Sequence, residues 1–563
     1  MRKQTKIAAL VSATALLALG ASITSFAAAR GTWMLVDGEW YCYDSNGDPY
    51  EDTFCVSNGK DYYVGEDGML VRSSWVDYDG DMYFVNSAGQ KITNDWRLTT
   101  PYDDEDAEEE WYYFQASGKM ATNKKIVYKG NTYFFNADGK MLTGWVTADG
   151  DDVVNEENGI DKDHTYYADE TGARVEGDWI YTVEPSTAED DADADYYYYY
   201  LLSSGKVASG KRNNIKGQTY LFDDQYRMLS GWVRGKVGSD GKTEYESIDG
   251  EDSSVVIEND SSENYTYYYC GGADDGHVKK DKWIKTWRPA DTYEEDEDVD
   301  QFWYWIESDG KIYVPSTSDA EKVAAEKWKL EDGELVIKAN YESVAKKKVN
   351  SKDYFFNENG EMLSEFLYVL EDSDDVNGLK EGLYYFGGSD DGSMKTGAQT
   401  IKDDNLDSFK FYFETKGENK GVGITGNKSN KLYYMGHLVA AQDYRYQPVT
   451  IEVKEKVAGK DDKYVMKNYT FIVNSNGTIQ HSTVEYKEDG DVLIDASGLE
   501  KSDFVSSGTY KYALQPGVVL PTNVEYLDPT QVMAVGSSVA DAVESANNAE
   551  NPVADDTTGN EQN

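Results

Sequence analysis

Residues 131–146 read NTYFFNADGKMLTGWV, and this stretch decides the fold. Tyr133, Phe134 and Phe135 form an aromatic run that suits a pleated, half-buried strand. Asn136-Ala137-Asp138-Gly139 follows as a four-residue turn, in which the glycine takes positive φ without a Cβ clash. Met141 and Leu142 resume an apolar strand that closes on Thr143-Gly144-Trp145. Strand, turn and strand predict a β-hairpin. A single hairpin cannot bury its aromatic face in water, so something must stack on it.

The sequence supplies further copies. Tyr62-Tyr63 runs to Gly68-Met69, Tyr83-Phe84 to Gly89, and Trp111-Tyr112-Tyr113-Phe114 to Gly118-Lys119-Met120. Tyr354-Phe355-Phe356 leads to Gly360-Glu361-Met362, and Tyr384-Tyr385-Phe386 to Gly392-Ser393-Met394. Gly68 to Gly89 and Gly118 to Gly139 are each separated by about twenty-one residues, a period that marks a solenoid. The expected fold is therefore all-β: an elongated stack of hairpins over residues 30–440, without substantial helix.

These residues resemble the cell-wall-binding repeat, also called the choline-binding or glucan-binding repeat, of Gram-positive surface proteins. The shared pattern is an aromatic pair, a turn with glycine, a methionine, then Thr-Gly-Trp. The resemblance implies a ligand held between consecutive hairpins by aromatic rings, with cation–π attraction as the physics for choline. It places candidate ligand-binding residues at Trp33 with Trp40 and Tyr41, Trp75 with Tyr83, Trp145 with Tyr167, and Trp232 with Tyr268. The alternative for each ring is that it only packs one hairpin on the next. The chain departs from the family pattern where Met82, Thr165 and Thr266 replace the tryptophan that opens the hairpin run, so most cages lack a wall.

Outside the repeats, residues 1–29 read as a signal peptide: Arg2, Lys3 and Lys6, an apolar run from Ile7 to Leu19, and small residues Ala27 to Ala29. The chain is thus expected to be secreted and held at the cell wall non-covalently, since nothing later is apolar enough to span a bilayer. Residues 441–530 read as a small β-rich cap, with alternation at Thr450-Ile451-Glu452-Val453. Residues 531–563 are small, polar and acidic, and read as a disordered tail.

With 46 Tyr and 50 Gly but only 10 Pro, and hydrophobic residues at 39%, aromatics must fill the core. The net charge of −50 excludes nucleic acid, whose binding requires neutralised phosphates. Anionic surfaces are repelled as well. Three runs punctuate the repeats: PYDDEDAEEE before Trp111, VEPSTAEDDADAD before Tyr196, and PADTYEEDEDVD before Phe302. They read as solvated hairpin tips, with a second reading as surfaces for a protein partner. Their spacing does not follow a calcium loop.

No catalytic constellation emerges. His164, His277, His437 and His481 are scattered, and no nucleophile elbow, P-loop, metal-ligand spacing or cofactor fingerprint occurs. The expectation is a non-enzymatic chain without metal or cofactor. Among Cys42, Cys55 and Cys270, Cys42 and Cys55 are candidates for a disulfide across the first hairpins, worth roughly 3 kcal/mol. Two functional readings follow: binding of a cell-wall or extracellular glycan through aromatic grooves, with choline as a further ligand, or a structural spacer or adhesin. The poverty of complete cages favours a glycan over choline.

Overall fold

The computed structural model describes residues 28–154, 159–187, 193–249, 257, 265–289, 300–315, 323–371, 379–456 and 464–529. Residues 1–27 of the expected signal peptide, the acidic tail and parts of the acid runs around 189–192 and 290–299 lie outside the described residues, while Ala29–Arg30 is already a strand paired with Cys55 and Val56. Apart from one 3-10 turn at Lys501–Asp503, the bounded elements are all strands. The chain divides into two compact units, Met1–Ser209 with Gln225–Met228, and Gly210–Asp224 with Leu229–Asn563. The all-β repeat fold is the one the sequence implies.

The first unit is a succession of antiparallel hairpins. Strands Thr32–Val36 and Glu39–Tyr43, Thr53–Ser57 and Lys60–Val64, Ser74–Tyr78 and Asp81–Val85, and Lys124–Tyr128 and Asn131–Phe135 each pair across a two-residue turn. Those turns are Asp37-Gly38, Asn58-Gly59, Asp79-Gly80 and Lys129-Gly130, with both residues at positive φ: 56° and 78° at Asp79-Gly80, for example. Paired positive φ is the type I′ geometry, whose twist matches that of the strands.

This corrects the hairpin as read from residues 131–146. The aromatic strand Asn131–Phe135 pairs backwards with Lys124–Tyr128, not forwards across Asn136–Gly139. The Asn136–Gly139 turn does form: Gly139 has φ 79° and its N–H donates to the Asn136 carbonyl at 3.1 Å. Met141, however, makes only an isolated bridge to Phe135. Its N–H donates to the carbonyl of Trp111, in the preceding hairpin, at 2.9 Å. The Asx turn is therefore a link between hairpins, and the shorter Asp-Gly and Asn-Gly turns close them.

That link recurs. Two residues after the turn glycine, a backbone N–H donates to the preceding hairpin: Leu70 to Trp40, Lys91 to Asp61, Met120 to Met82, and Arg174 to Thr132, at 2.8–2.9 Å. In the second unit Val278 donates to Thr219, Ile312 to Tyr267, Met362 to Trp303, and Met394 to Asp353. Each hairpin is thereby hydrogen-bonded to its neighbour as well as packed on it, which satisfies backbone groups that stacking would otherwise strand.

The first acid run sits at a hairpin tip. Residues 100–109 join the paired strands Asp95–Thr99 and Glu110–Phe114. The longer runs likewise separate Asp178–Thr182 from Tyr197–Leu201 and Lys282–Thr286 from Phe302–Ile306. The second unit also departs from simple hairpins. Ala325–Glu331 lies between Glu334–Tyr341 and Phe366–Val369 in a four-stranded sheet completed by Gly382–Tyr385. Near the C-terminal end two eleven-residue strands, Tyr446–Lys456 and Tyr464–Asn474, form a long hairpin over a core of Val449, Ile451, Phe471 and Val473.

Candidate functional site

The cross-strand register of a hairpin sets two positions on one face, and in several hairpins aromatic rings occupy them. The first lies at the base. Trp75 pairs with Phe84, Trp96 with Tyr113, Trp145 with Tyr167, Trp179 with Tyr200, and Trp283 with Trp305. Each of these indoles is hemmed in by rings. Trp75 meets Tyr112 at 4.8 Å, Trp96 meets Tyr133 at 4.8 Å, and Trp145 meets Tyr199 at 5.0 Å between centroids. Trp232 meets Tyr304 at 4.9 Å and Trp283 meets Tyr354 at 4.8 Å. Rings at that separation touch, so no ligand fits between them.

Hydrogen bonding fixes the same indoles. Nε1 of Trp75 donates to the Thr100 carbonyl at 2.9 Å, that of Trp145 to Val183 at 2.8 Å, and that of Trp232 to Trp287 at 3.0 Å. Tyr112 is fully buried and its hydroxyl has no partner. Burial first, then the Glu110 carboxylate, pushes its pKa up to about 12. The base row is the core of the repeats.

The second position lies two residues nearer the tip on the same face, and there the rings emerge. Leu35 pairs with Trp40, Leu98 with Trp111, and Tyr181 with Tyr198. Leu35 is 58% and Trp40 39% exposed; Leu98 is 37% and Trp111 40% exposed. Tyr181 is exposed too, and its ring lies 5.5 Å from Tyr196 and 4.6 Å from Tyr198, tilted by 35° and 37°. In the second unit the same place is taken by Lys285 opposite Trp303, both bonded to Asp390.

The sequence-derived candidates divide accordingly. Trp145 and Tyr167 are brought together, at 5.2 Å. Trp33 and Trp40 share a face, but Trp33 turns inward against Tyr62 at 5.8 Å. Tyr41 pairs with Met34 and belongs to the opposite face. Trp75 and Tyr83 are not brought together: Tyr83 pairs with Val76 and packs on Phe54, while Phe84 is the ring beside Trp75. Trp232 likewise meets Tyr269, and Tyr268 pairs with Val233. Trp232 is also fully buried. Each mismatch is a shift of one residue, which in a strand reverses the face.

The pairs Leu98–Trp111 and Tyr181–Tyr198, and Tyr196, were not among the candidates. A signal for them existed in the alternation counted outward from the base tryptophans Trp96 and Trp179 and in the run Tyr196 to Tyr200. Cys42 and Cys55 are both fully buried and unbridged, in one core cluster with Val64. Burial raises both thiol pKa values. Among the described residues, no group of three or more His, Cys, Asp or Glu is placed to hold a metal ion.

A family model described as the choline-binding repeat matches residues 104–144, which hold the exposed Trp111, the buried Tyr112 and the link from Met141. Relatives at low identity include glucosyltransferase-S of Streptococcus mutans, 25% identical over 198 residues. That match covers 35% of this chain and 11% of the relative. A putative endo-β-N-acetylglucosaminidase of Streptococcus pneumoniae is 25% identical over 115 residues, covering 19% of this chain and 16% of the relative. The chain thus spans only a small part of these curated relatives.

Solved structures with local likeness include the modular autolysin LytC of Streptococcus pneumoniae, at 17% identity and a TM-score of 0.31, over 60% of this chain and 53% of that one. Choline binding protein F of the same organism aligns at 17% identity and a TM-score of 0.28, over 69% of this chain and 98% of that one. Among the described residues, no helix is long and apolar enough to cross a membrane.

Proposed function

We propose that the chain is a secreted, non-enzymatic surface protein that holds a cell-wall or extracellular glycan non-covalently on its exposed hairpin-tip aromatics. The observation that carries this reading is the recurrence of a cross-strand pair with exposed apolar or aromatic side chains, Leu35–Trp40, Leu98–Trp111 and Tyr181–Tyr198, at one position of every third hairpin of the first unit, where the hairpins between carry Val56–Asp61, Asp77–Met82, Val127–Thr132 and Thr147–Thr165. A pyranose ring presents an apolar face that lies flat on such a surface, and its hydroxyls find polar partners beside it. Several weak platforms on one chain add through effective concentration.

Charge supports the same contact chemistry. At a net charge of −50, a chain approaching an anionic wall polymer is repelled at long range and must gain its affinity from stacking and hydrogen bonds. The test is sedimentation of the mature protein with purified cell walls. Retention that persists in molar salt, where charge contacts are screened, is the expected result. Absence of retention in any salt favours the spacer or adhesin instead, with the acidic tips meeting a protein partner.

Choline is the second reading, favoured by the match of residues 104–144 to the choline-binding repeat. Against it stands the filling of the base row. Around Trp96 the rings of Tyr113, Tyr133 and Phe135 lie 4.8–5.5 Å away, so these walls touch one another and leave no gap for a trimethylammonium group. A choline-bearing column therefore retains the chain less than a glycan-bearing wall does.

A further inference from the structure

Two residues after a turn glycine, a side chain lies in the slot between its hairpin and the next, under the following turn glycine. A Cβ at Gly89 would stand 2.6 Å from Leu70 Cδ1, and one at Gly139 2.5 Å from Met120 Sδ. Met141 lies under Gly172 in the same way. The slot is apolar, and leucine or methionine suits it. Under Gly118, however, lies Lys91, whose Cδ would be 2.8 Å from an added Cβ.

A lysine there must desolvate its charge, which is unfavourable unless the ammonium is compensated. Compensation is present. The Nζ lies 4.8 Å from the centre of the Phe54 ring and 5.6 Å from that of Tyr83. It also pairs with Oδ2 of Asp61 at 2.6 Å, and the Lys91 side chain is only 12% exposed. Phe54 and Tyr83 are both buried and meet edge to face at 5.2 Å. Aromatic faces plus one carboxylate around a nitrogen cation form an ammonium-recognition site. Arg174, at the equivalent position under Gly205, repeats the device: its guanidinium lies 5.4 Å from the Tyr166 ring and its Nε donates to Glu176 at 3.0 Å.

We propose that Phe54, Tyr83 and Asp61 form an alkylammonium site that Lys91 occupies as a tethered ligand, closing it to external cations. Shortening Lys91 opens the site to a small quaternary ammonium, which replaces the lost charge on the same rings and the same carboxylate. This inference does not rest on glycan binding, because the slot is interior and the exposed aromatic pairs take no part in it.

The test uses the full mature chain, wild type and Lys91→Ala, with thermal unfolding followed against choline chloride. Sodium chloride at equal ionic strength and 3,3-dimethyl-1-butanol, the neutral isostere, serve as controls. Lys91→Ala is expected to melt lower than wild type and to gain a saturable rise of several degrees with choline, absent in wild type and absent with the neutral isostere. Adding Asp61→Asn should weaken that rise. No rise, an equal rise in wild type, or an equal rise with the neutral isostere overturns the proposal. Should Lys91→Ala not fold, choline present during refolding is expected to recover folded protein where the isostere does not, and failure to recover overturns it equally. Wall retention of the wild type, measured separately, reports on glycan binding alone.

Discussion

The thioether of Met120 lies against the backbone of Gly139 so closely that a β-carbon on the glycine would stand 2.5 Å from its sulfur. The pattern of glycine followed two residues later by methionine is therefore a packing rule between hairpins: the glycine of one repeat receives the methionine of the one before. Gly139 carries two separate requirements, positive φ at 79° and the absence of a side chain. Gly130 has φ 91° but nothing within 4 Å of its missing Cβ.

Gly130→Ala should therefore cost only the left-handed backbone, about 1–2 kcal/mol. Gly139→Ala should cost that plus overpacking, about 1–3 kcal/mol more. The difference between the two variants in denaturant unfolding isolates the contact, and Met120→Ala in the Gly139→Ala background should recover part of it. Equal losses at the two glycines would remove Met120 from the account.

The repeat was legible because it needs only a period, an aromatic run and a glycine. Which ring faces which was harder to read. In Tyr83-Phe84 and Tyr268-Tyr269 both neighbours are aromatic, so the period-two contrast that assigns faces vanishes, and a one-residue error goes unnoticed. Tyr166-Tyr167 carries the same ambiguity, and there Tyr167 is the one that pairs with Trp145. The hairpin closure was misread for a related reason. Asn136–Gly139 and Lys129-Gly130 both carry turn chemistry, and only the long-range bond from Met141 to Trp111 separates a link from a closure. Asp37-Gly38, Asn58-Gly59 and Asp79-Gly80 were the stronger signal.

His437 is 7% exposed among Phe409 and Phe411, and its Nδ1 has no partner. Burial lowers its pKa to about 4. As pH falls, the unfolded chain takes up this proton near the ordinary histidine value of about 6.5, whereas the fold resists it until about 4. Protons in that window therefore favour unfolding. Full stability is present above the window, and the loss across it is roughly 3 kcal/mol. His437→Leu removes this component, so the difference in stability between wild type and variant should change from pH 7 to pH 4.5, with the wild type losing more. A parallel pH dependence for the two proteins would count against it.

Cys42 and Cys55 lie side by side in the core of the first hairpins, and Cys270 is buried apart in the second unit. On protein exported to an oxidising compartment, peptide mapping without reductant is expected to find Cys42 joined to Cys55 and Cys270 as a free thiol. Cys270 should react with a thiol reagent only after denaturation, because burial withholds it and raises its pKa. A linked peptide containing Cys270 would exclude this pairing.

The last prediction separates the two aromatic rows. Trp75 and Trp111 are tryptophans of one unit with opposite placement. Trp75 is wrapped by Phe84, Tyr102, Tyr112 and Phe114 with its Nε1 bonded to Thr100, while Trp111 is 40% exposed beside Leu98. Trp75→Ala should behave as a core deletion, costing about 3–5 kcal/mol and lowering wall retention only through loss of folded protein. Trp111→Ala should leave the unfolding free energy within about 1 kcal/mol of wild type while reducing retention on purified walls, and Trp40→Ala should add to that reduction. Platforms that act together lose more than in proportion, because each one removed lowers the effective concentration for the rest. Melting and wall sedimentation measured on the same preparations decide the matter. If Trp111→Ala and Trp40→Ala retain wild-type binding at wild-type stability, the exposed pairs are not the glycan surface.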